Sequence, residues 1–407
     1  MPLLEIICLT SLAVVLYAYV GFPVLILLRS WIWQRPFRIS PITPRISLVI
    51  CAHNEEKSIG AKLENVLALD YPPEHLEVLI ASDGSSDGTE EIVEQFTGAL
   101  VRLLRLPRRG KAAALNAAVE QASGEILVFS DANSMYAPDA LRKIVQPFAD
   151  ERVGGVAGNQ VYRKSSEDSG AAAAGERGYW NFDRWMKRLQ SSAGNVVSAT
   201  GAIYAVRRSL YCEVPEGVTD DFVTSTRVIQ QGYRLVFAEN ATCHEPVAGL
   251  ARAEFGRKVR VITRGLRGVL AVRGLLNPLR YGSYSLQLFS HKVLRRLVVF
   301  PMMVLAVTIP LLWSSGVHYQ VATVLEGMFC IAALAGWLLS RTESKTPRVL
   351  AVPFFFCMVN VAVLCAVWNI CRGRRIVVWN PHRTSESSVG VSGKVAPVLQ
   401  PSRKQAT

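Results

Sequence analysis

Membrane-length apolar stretches open and close this chain, and shorter alternating segments lie between them. Residues 3–28 carry a single charge, at Glu5, and are long enough to cross a bilayer. We expect an anchor and not a cleaved signal peptide, because no basic residue precedes the stretch and no small-residue cleavage site comes before Arg29. Near the C-terminus, long stretches with almost no charge predict further spans, with buried core helices as the disfavoured alternative; they cover approximately 297–313, 321–339 and 349–370.

Lys and Arg positions predict the orientation of these spans. Arginines are frequent in residues 29–45 and none precedes the first span, so we expect an outer N-terminus and a cytoplasmic segment 30–290. A complete fourth span would place the arginines of 372–375 outside, against the same rule. A broken or re-entrant last segment, containing Pro353 and Asn360, is the alternative.

Between the apolar ends, strand-like runs alternate with helical patterns. This alternation predicts a parallel α/β sheet over residues 46–133. In the first predicted helix, Ile59, Leu63, Val66 and Leu67 share one face. The predicted strands cover 46–50, 76–81, 100–106, 125–130, 153–162, 202–206 and 233–238, and the other main helices cover 111–121 and 176–189.

Composition and charge refine this organisation. The formal net charge is +13, and residues 252–296 contain eleven Lys and Arg against one acid, Glu254. A basic run beside a span is typical of binding to anionic lipid headgroups, and without an aromatic stacking platform we expect no nucleic-acid partner. The eight cysteines form no CxxC pair and are expected to be reduced. The predicted units are an anchor (1–29), an α/β domain (45–250), basic interfacial helices (251–292), a transmembrane region (293–371) and a disordered tail (384–407).

Acidic residues follow the predicted strands. Asp83 and Asp131 end strand-like runs, and the carboxyl edge of a parallel sheet is where open α/β folds bind ligands. Asp131 and Asn133 offer hard oxygen ligands to Mg²⁺ or Mn²⁺, with an Asx turn as the alternative. The adjacent carboxylates of Asp220 and Asp221 suit general-base catalysis on a hydroxyl, or a helix cap.

Other polar residues suit the binding of a nucleotide. His53 and Glu55 follow the first predicted strand and could contact a base and ribose, although they also fit a solvated helix start. Lys111 lies at a loop-to-helix junction, where helix amides favour anions such as a diphosphate. Arg260 lies in a basic helix and could neutralise a leaving diphosphate or bind headgroups. No GxGxxG follows the first strand, which disfavours an oxidoreductase.

Taken in this order, the segments CAHNEEKS, ASDGSSDGT, RRGKAAALN, SDAN and VTDDF resemble the family 2 glycosyltransferases. The likeness is greatest to the membrane-embedded branch that contains poly-N-acetylglucosamine, hyaluronan, chitin and cellulose synthases. It implies a Rossmann-like GT-A fold inserted between transmembrane helices, a UDP-sugar donor, and Mg²⁺ or Mn²⁺ as cofactor.

The resemblance also implies roles for individual residues. His53, Glu55 and Asp83 would hold the uridine, and Lys111 would touch the diphosphate. Asp131 with Asn133 would match the metal-binding DxD motif. Asp221, beside Asp220, would match the final residue of the TED motif, which is the catalytic base.

One segment departs from the processive members, which carry QxxRW. This chain reads RKVRV, so Arg260 matches the diphosphate-binding arginine while the glutamine and the tryptophan are missing. The resemblance and the predicted orientation together lead us to expect an inverting transferase at the cytoplasmic face of the inner membrane, acting on a lipid-linked or growing polysaccharide acceptor. Transfer of a single sugar to polyprenyl-phosphate, and a non-catalytic nucleotide-sugar-binding subunit, are the alternatives.

Overall fold

The computed structural model describes residues 2–162, 171–245, 251–341, 347–374 and 376. For residues 171–180 and 251–254 it describes the backbone alone. The tail predicted at 384–407 lies outside the described residues.

One mixed sheet of eight strands forms the centre of the molecule, in the order β3-β2-β1-β4-β7-β6-β8-β5. The first four strands in this order are parallel, and β7 runs antiparallel to both β4 and β6. The parallel arrangement predicted for the first half is therefore observed. The strands are β1 (Ile46–Ala52), β2 (Leu76–Asp83), β3 (Val101–Leu106), β4 (Ile126–Asp131), β5 (Met135–Tyr136), β6 (Val153–Tyr162), β7 (Tyr204–Arg207) and β8 (Arg234–Glu245).

Helices flank the sheet and extend from it at both ends of the chain. The N-terminal helices and those of the sheet region are α1 (Pro2–Leu16), α2 (Phe22–Ile32), α3 (Glu56–Leu67), α4 (Thr89–Glu94), α5 (Lys111–Glu120), α6 (Ala140–Val145), α7 (Ala171–Ala193) and α8 (Asp220–Gln230). The later ones are α9 (Ala251–Ala271), α10 (Pro278–Tyr281), α11 (Ser283–Leu288), α12 (Arg295–Leu297), α13 (Val299–Leu311), α14 (Val317–Leu339) and α15 (Arg348–Cys371).

The sheet is covered on both faces, which is why its central strands are continuously apolar. Every residue of β1 is buried. Helix α3 covers one face with Ile59, Leu63 and Val66, whereas Leu67 is 47% exposed. The prediction for Leu67 was wrong because α3 ends at this residue. Helix α8 begins at Asp220, with Thr219 at the N-cap position. The aspartates therefore lie in its first turn, and the alternative that one of them caps a helix beginning at Phe222 was wrong.

Within the part of the chain that the structure describes, three helical segments are long and apolar enough to cross a membrane: Pro2–Ile32, α14 and α15. A fourth candidate is the pair Ser283–Leu297 and Val299–Leu311, which is bent by 48°. This pair starts before residue 293, where the sequence predicted the transmembrane region to begin. Helix α15 continues through Pro353 without a break.

Helix α9 forms a layer between the sheet domain and α15. Its residues Phe255, Val259, Ile262 and Leu266 recur at helical spacing and pack against Ala362, Val363 and Ala366 of α15. Its other side contributes Val269 to the core beneath the sheet. The basic segment is therefore packed between the sheet domain and an apolar helix.

Candidate active site

The carboxyl ends of four adjacent strands meet at one edge of the sheet. In the β1 register, Cys51 faces Ala81 of β2 and Asp131 of β4, and Asp83 at the end of β2 faces Leu106 of β3. The loops that leave these strands therefore converge. This is the crevice where parallel α/β sheets bind ligands.

The Asp83 carboxylate holds the loop that leads into α5. It is 1% exposed and accepts backbone hydrogen bonds from Arg109 at 2.8 Å and from Gly110 at 2.9 Å. Gly84 permits this approach, because its φ is +59° and a Cβ there would lie 2.9 Å from the Arg108 nitrogen. Asp83 thus fixes the start of the helix that carries Lys111.

His53 and Glu55 lie beside this loop, and both are buried. The His53 Nδ1 lies 2.9 Å from the carbonyl oxygen of Asp83. Burial, followed by the nearby Arg108 charge, lowers the pKa of His53, so its ring is neutral at neutral pH. Ser58 donates a hydrogen bond to Glu55 Oε2 at 2.5 Å.

Lys111 links the end of β4 to the start of α8. Its Nζ lies 2.7 Å from Asp131 Oδ1 and 3.2 Å from Asp220 Oδ2. Burial acts to lower the pKa of Lys111, but the Asp131 and Asp220 carboxylates outweigh it and raise that pKa well above its usual value. The ammonium is therefore charged and placed at the sheet edge, where it can stabilise an anionic ligand.

The two aspartates at the start of α8 are electrostatically unlike. Burial favours the neutral form of Asp220, but Lys111 and then Arg264 lower the pKa of that carboxyl. Burial and the adjacent Asp220 charge raise the pKa of Asp221 from 3.8 to about 6. Asp221 is thus suited to accept a proton near neutral pH.

Helix α9 supports the start of α8 and packs on α15 with its opposite side. Arg264 donates two hydrogen bonds to the Val218 carbonyl, at 2.9 and 2.7 Å, just before the aspartates. Gly268 faces the Phe222 ring, and a Cβ at this position would lie 2.9 Å from that ring. The orientation of Asp221 therefore depends on a helix of the basic segment.

Asp131 and Asn133 carry the oxygen donors that divalent metals such as Mg²⁺ and Mn²⁺ prefer. Asp131 is at the sheet edge, and its side chain is 34% exposed. Gly201 keeps space open beside Asp131 Oδ2, because a Cβ at position 201 would lie only 3.3 Å from that oxygen. The described residues contain no cluster of three or more His, Cys, Asp or Glu suited to a metal. A site with one carboxylate and one amide suits Mg²⁺ or Mn²⁺ completed by substrate phosphates.

A buried polar network beneath the Asp131–Asn133 turn was not predicted. The carbonyl of Ser134 accepts from Lys62 Nζ, and the Ser134 hydroxyl donates to Glu245, which also accepts from Gln160 at 2.6 Å. Lys62 is fully buried, with its Nζ 3.9 Å from the centroid of the Tyr136 ring. The available signal was that Lys62 occupies an apolar-stripe position of α3, between Ile59 and Val66.

The remaining predicted residues lie on α9 and α7. Arg260 precedes Arg264 by one turn of α9. Burial, followed by the neighbouring charges of Arg264 and Arg257, lowers the pKa of Arg260. On α7, Trp185 is 36% exposed beside Phe182, which packs on the α2 anchor. The sequence also favours Tyr179, Trp180 and Trp185 of this helix as an aromatic surface for an acceptor glycan, and the side chains of Tyr179 and Trp180 are not among those that the structure describes.

Comparison with known proteins gives consistent results. Residues 47–214 match the model of Glycosyl transferase family 2. The chain is 31% identical over 205 residues to poly-beta-1,6-N-acetyl-D-glucosamine synthase of Staphylococcus aureus strain COL, covering 49% of each protein. The corresponding protein of Staphylococcus epidermidis is 30% identical over 205 residues, again with 49% of each covered. The chain thus spans about half the length of the curated relatives it matches.

Among solved structures, the mannosyltransferase PcManGT from Pyrobaculum calidifontis, in complex with GDP-Man and Mn²⁺, superposes with a TM-score of 0.67. The two are 23% identical, and the match covers 91% of this chain and 100% of PcManGT. The predicted GT-A fold with helices at both ends is therefore confirmed.

Proposed function

We propose that this chain, whose residues 47–214 form a glycosyl transferase family 2 domain, transfers a sugar from a UDP-sugar to an acceptor hydroxyl at a membrane surface. The observation that carries the proposal is the junction of Lys111 with Asp131 and Asp220, at 2.7 and 3.2 Å. It joins the predicted nucleotide side to the predicted catalytic acids at one edge of the sheet.

The nucleoside would bind between the loops after β1 and β2. His53 and Glu55 are candidates to contact the uridine. Asp83 contributes by ordering the loop before Lys111, because its carboxylate already accepts the Arg109 and Gly110 amides. Lys111 would then pair with the diphosphate, and Arg260 is a second candidate for that contact.

Transfer requires one base and stabilisation of one leaving group. Asp221 accepts the proton of the acceptor hydroxyl, whose oxygen bonds to the anomeric carbon as the bond from that carbon to the diphosphate breaks. Lys111 stabilises the charge on the departing diphosphate. Asp131 and Asn133 would hold a divalent metal that supplies further positive charge there. A single displacement of this kind inverts the anomeric configuration.

The names of the curated relatives support N-acetylglucosamine as the sugar and a polysaccharide as the product. The RKVRV segment, which lacks the glutamine and tryptophan of processive members, supports addition of a single sugar to polyprenyl-phosphate as the second candidate. The candidate spans support a multi-pass membrane protein, and the arginines of 29–45 support a cytoplasmic active site.

The test is UDP release by purified, detergent-solubilised protein across a panel of UDP-sugars, with GDP-mannose as comparison and with Mn²⁺ or Mg²⁺. We expect release from UDP-N-acetylglucosamine, and a loss of about 10²- to 10⁴-fold in Asp221→Asn. Undiminished release by the variant would refute the role of Asp221. Silence with every donor, persisting after addition of membrane lipid extract, would favour a non-catalytic nucleotide-sugar-binding subunit. Product length separates a polymer from a single addition.

A further inference from the structure

A large apolar cavity lies away from the candidate active site, where α9, α14 and α15 meet. Its volume is about 920 Å³. Phe255 of α9 lines it, together with Leu334 and Trp337 of α14 and Phe354 and Met358 of α15. Near the end of α14, Ser340 and Arg341 add polar groups to the lining, and Arg341 is the single charged residue among its described lining residues.

We propose that this cavity binds one anionic phospholipid, with an acyl chain against the apolar walls and the phosphate on Arg341. The Arg341 guanidinium carbon lies 3.9 Å from the centroid of the Trp337 ring, so the cation is held against one wall of the cavity. An apolar cavity with a cation at one end complements a lipid in charge as well as in polarity.

The depth of the cavity follows from α9. This helix carries Arg257, Lys258, Arg260, Arg264 and Arg267 over most of its length. Cations in this number are too costly to place in hydrocarbon, and an amphipathic basic helix lies instead in the plane of the membrane interface. Phe255, which lines the cavity, is therefore at headgroup depth.

Helix α15 packs along α9 from its middle to its C-terminal end. In the first half of α15, the ring centroid of Phe355 lies 5.7 Å from Lys258 Nζ. Beyond its end, the Arg374 carbonyl accepts a hydrogen bond of 3.0 Å from Arg267. The two helices run parallel, and the C-terminal end of α15 lies on the side of the sheet domain.

Helix α14 brings Arg341 to this side. Near the start of α14, the Tyr319 hydroxyl donates a hydrogen bond of 3.3 Å to Glu5 Oε1. Glu5 lies at the end of the anchor opposite to the sheet domain. The helix has 23 residues, or about 34 Å, enough to cross the bilayer and return the chain to α9. Arg341 then lies where lipid phosphates lie, which favours a membrane phospholipid over a soluble ligand.

The experiment is native mass spectrometry of the full chain purified in detergent, after equilibration with equal amounts of phosphatidylglycerol and phosphatidylcholine. We expect one retained phosphatidylglycerol per chain, preferred about fivefold over phosphatidylcholine because one cation contacts the headgroup. Arg341→Gln should remove the preference. Lipid retention is read independently of sugar transfer, so the proposed function and this proposal can fail separately.

The chain offers a matched control. Arg372 also packs on a tryptophan, with its guanidinium carbon 4.5 Å from the Trp368 ring centroid, but it is not among the lining residues of the cavity. Arg372→Gln should keep the preference for phosphatidylglycerol. Met358→Trp should fill the cavity and abolish retention of either lipid, whereas Met358→Leu should retain it and so exclude misfolding as the cause.

Three outcomes would overturn the proposal. One is equal retention of the two lipids by the wild-type chain. Another is an equal effect of Arg341→Gln and Arg372→Gln. The third is complete displacement of phosphatidylglycerol by an equimolar isoprenyl phosphate, which would make the cavity an acceptor site.

Discussion

The nucleotide side of the candidate site and the Asp221 side are held in different ways. On the nucleotide side, Asp83 and the Asp131–Asn133 turn end strands of the sheet and are fixed by hydrogen bonds from Arg109, Gly110 and Lys62. On the other side, Asp221 starts a helix that is supported by Arg264 and Gly268 of α9.

This difference indicates how the two substrates are handled. In the proposed function, a soluble nucleotide sugar would meet an edge of the parallel sheet that is held by hydrogen bonds within the sheet domain. The proposed base, Asp221, is positioned by α9, which packs on the apolar α15. We therefore expect changes on the nucleotide side to affect donor binding and changes on α9 to affect turnover.

The comparison requires that α15 ends on the side of the sheet domain, and this gives an all-or-none prediction. In variants with a single cysteine, an impermeant maleimide should label Cys371 and the catalytic-domain Cys212 from the same side of sealed vesicles. A cysteine introduced by Ser314→Cys, in the turn between α13 and α14, should label from the opposite side. Labelling of Cys371 together with the residue-314 cysteine would show that α15 crosses the membrane.

Loss of the Lys111 charge should reduce catalysis strongly. Lys111→Met removes the cation between Asp131 and Asp220, so it weakens diphosphate stabilisation and leaves two carboxylates in repulsion. We expect kcat/KM for the UDP-sugar to fall about 10²- to 10³-fold. The control is Lys57→Met, because Lys57 is exposed on α3. An equal loss in both variants would contradict the assignment.

A methyl group at position 268 should distinguish an effect on turnover from an effect on donor binding. Gly268→Ala places a Cβ 2.9 Å from the Phe222 ring and so displaces the start of α8. We expect kcat to fall about tenfold while KM for the donor is unchanged, because misplacement of a catalytic group lowers turnover. Gly256→Ala on the same helix meets no atom within 4 Å and should be neutral. A raised KM with normal kcat would place α9 on the nucleotide side instead.

The pH profile should report the Asp221 carboxyl. Asp221 must be deprotonated to act as a base, so kcat/KM should fall as the pH drops through about 6, the raised pKa of this carboxyl. Asp220→Asn removes the adjacent charge and should move this acid limb to lower pH. Burial remains, so the limb should stay above 3.8, the ordinary pKa. An acid limb that does not move would assign it to another group.

The smallest expected effect concerns the network under the Asp131–Asn133 turn. Burial lowers the pKa of Lys62 from 10.5 to about 7, so between these values the unfolded chain binds a proton that the folded chain does not. The melting temperature of the wild type should therefore contain a contribution that rises with pH across this interval. Lys62→Met should remove that contribution. An unchanged pH dependence in the variant would show that Lys62 titrates normally.

Much of the nucleotide side could be predicted from the sequence. Strands in a parallel sheet end at one edge, so Asp83, Asp131 and the loop before Lys111 follow from local patterns of apolar runs and turns. Arg264 could not be identified in this way, because its contact with the Val218 carbonyl joins segments far apart in the chain. The role of Asp83 in ordering a loop was missed for the same reason.

The sequence by itself determined the parallel half of the sheet, the apolar segments and the order of the acidic motifs, since each depends on neighbours within a few residues. Only the tertiary structure decided that Lys111 joins Asp131 to Asp220, that Lys62 lies buried under the Asp131–Asn133 turn, and that α15 lies along α9. These features depend on burial and on contacts between distant segments, and a linear pattern of polarity contains neither.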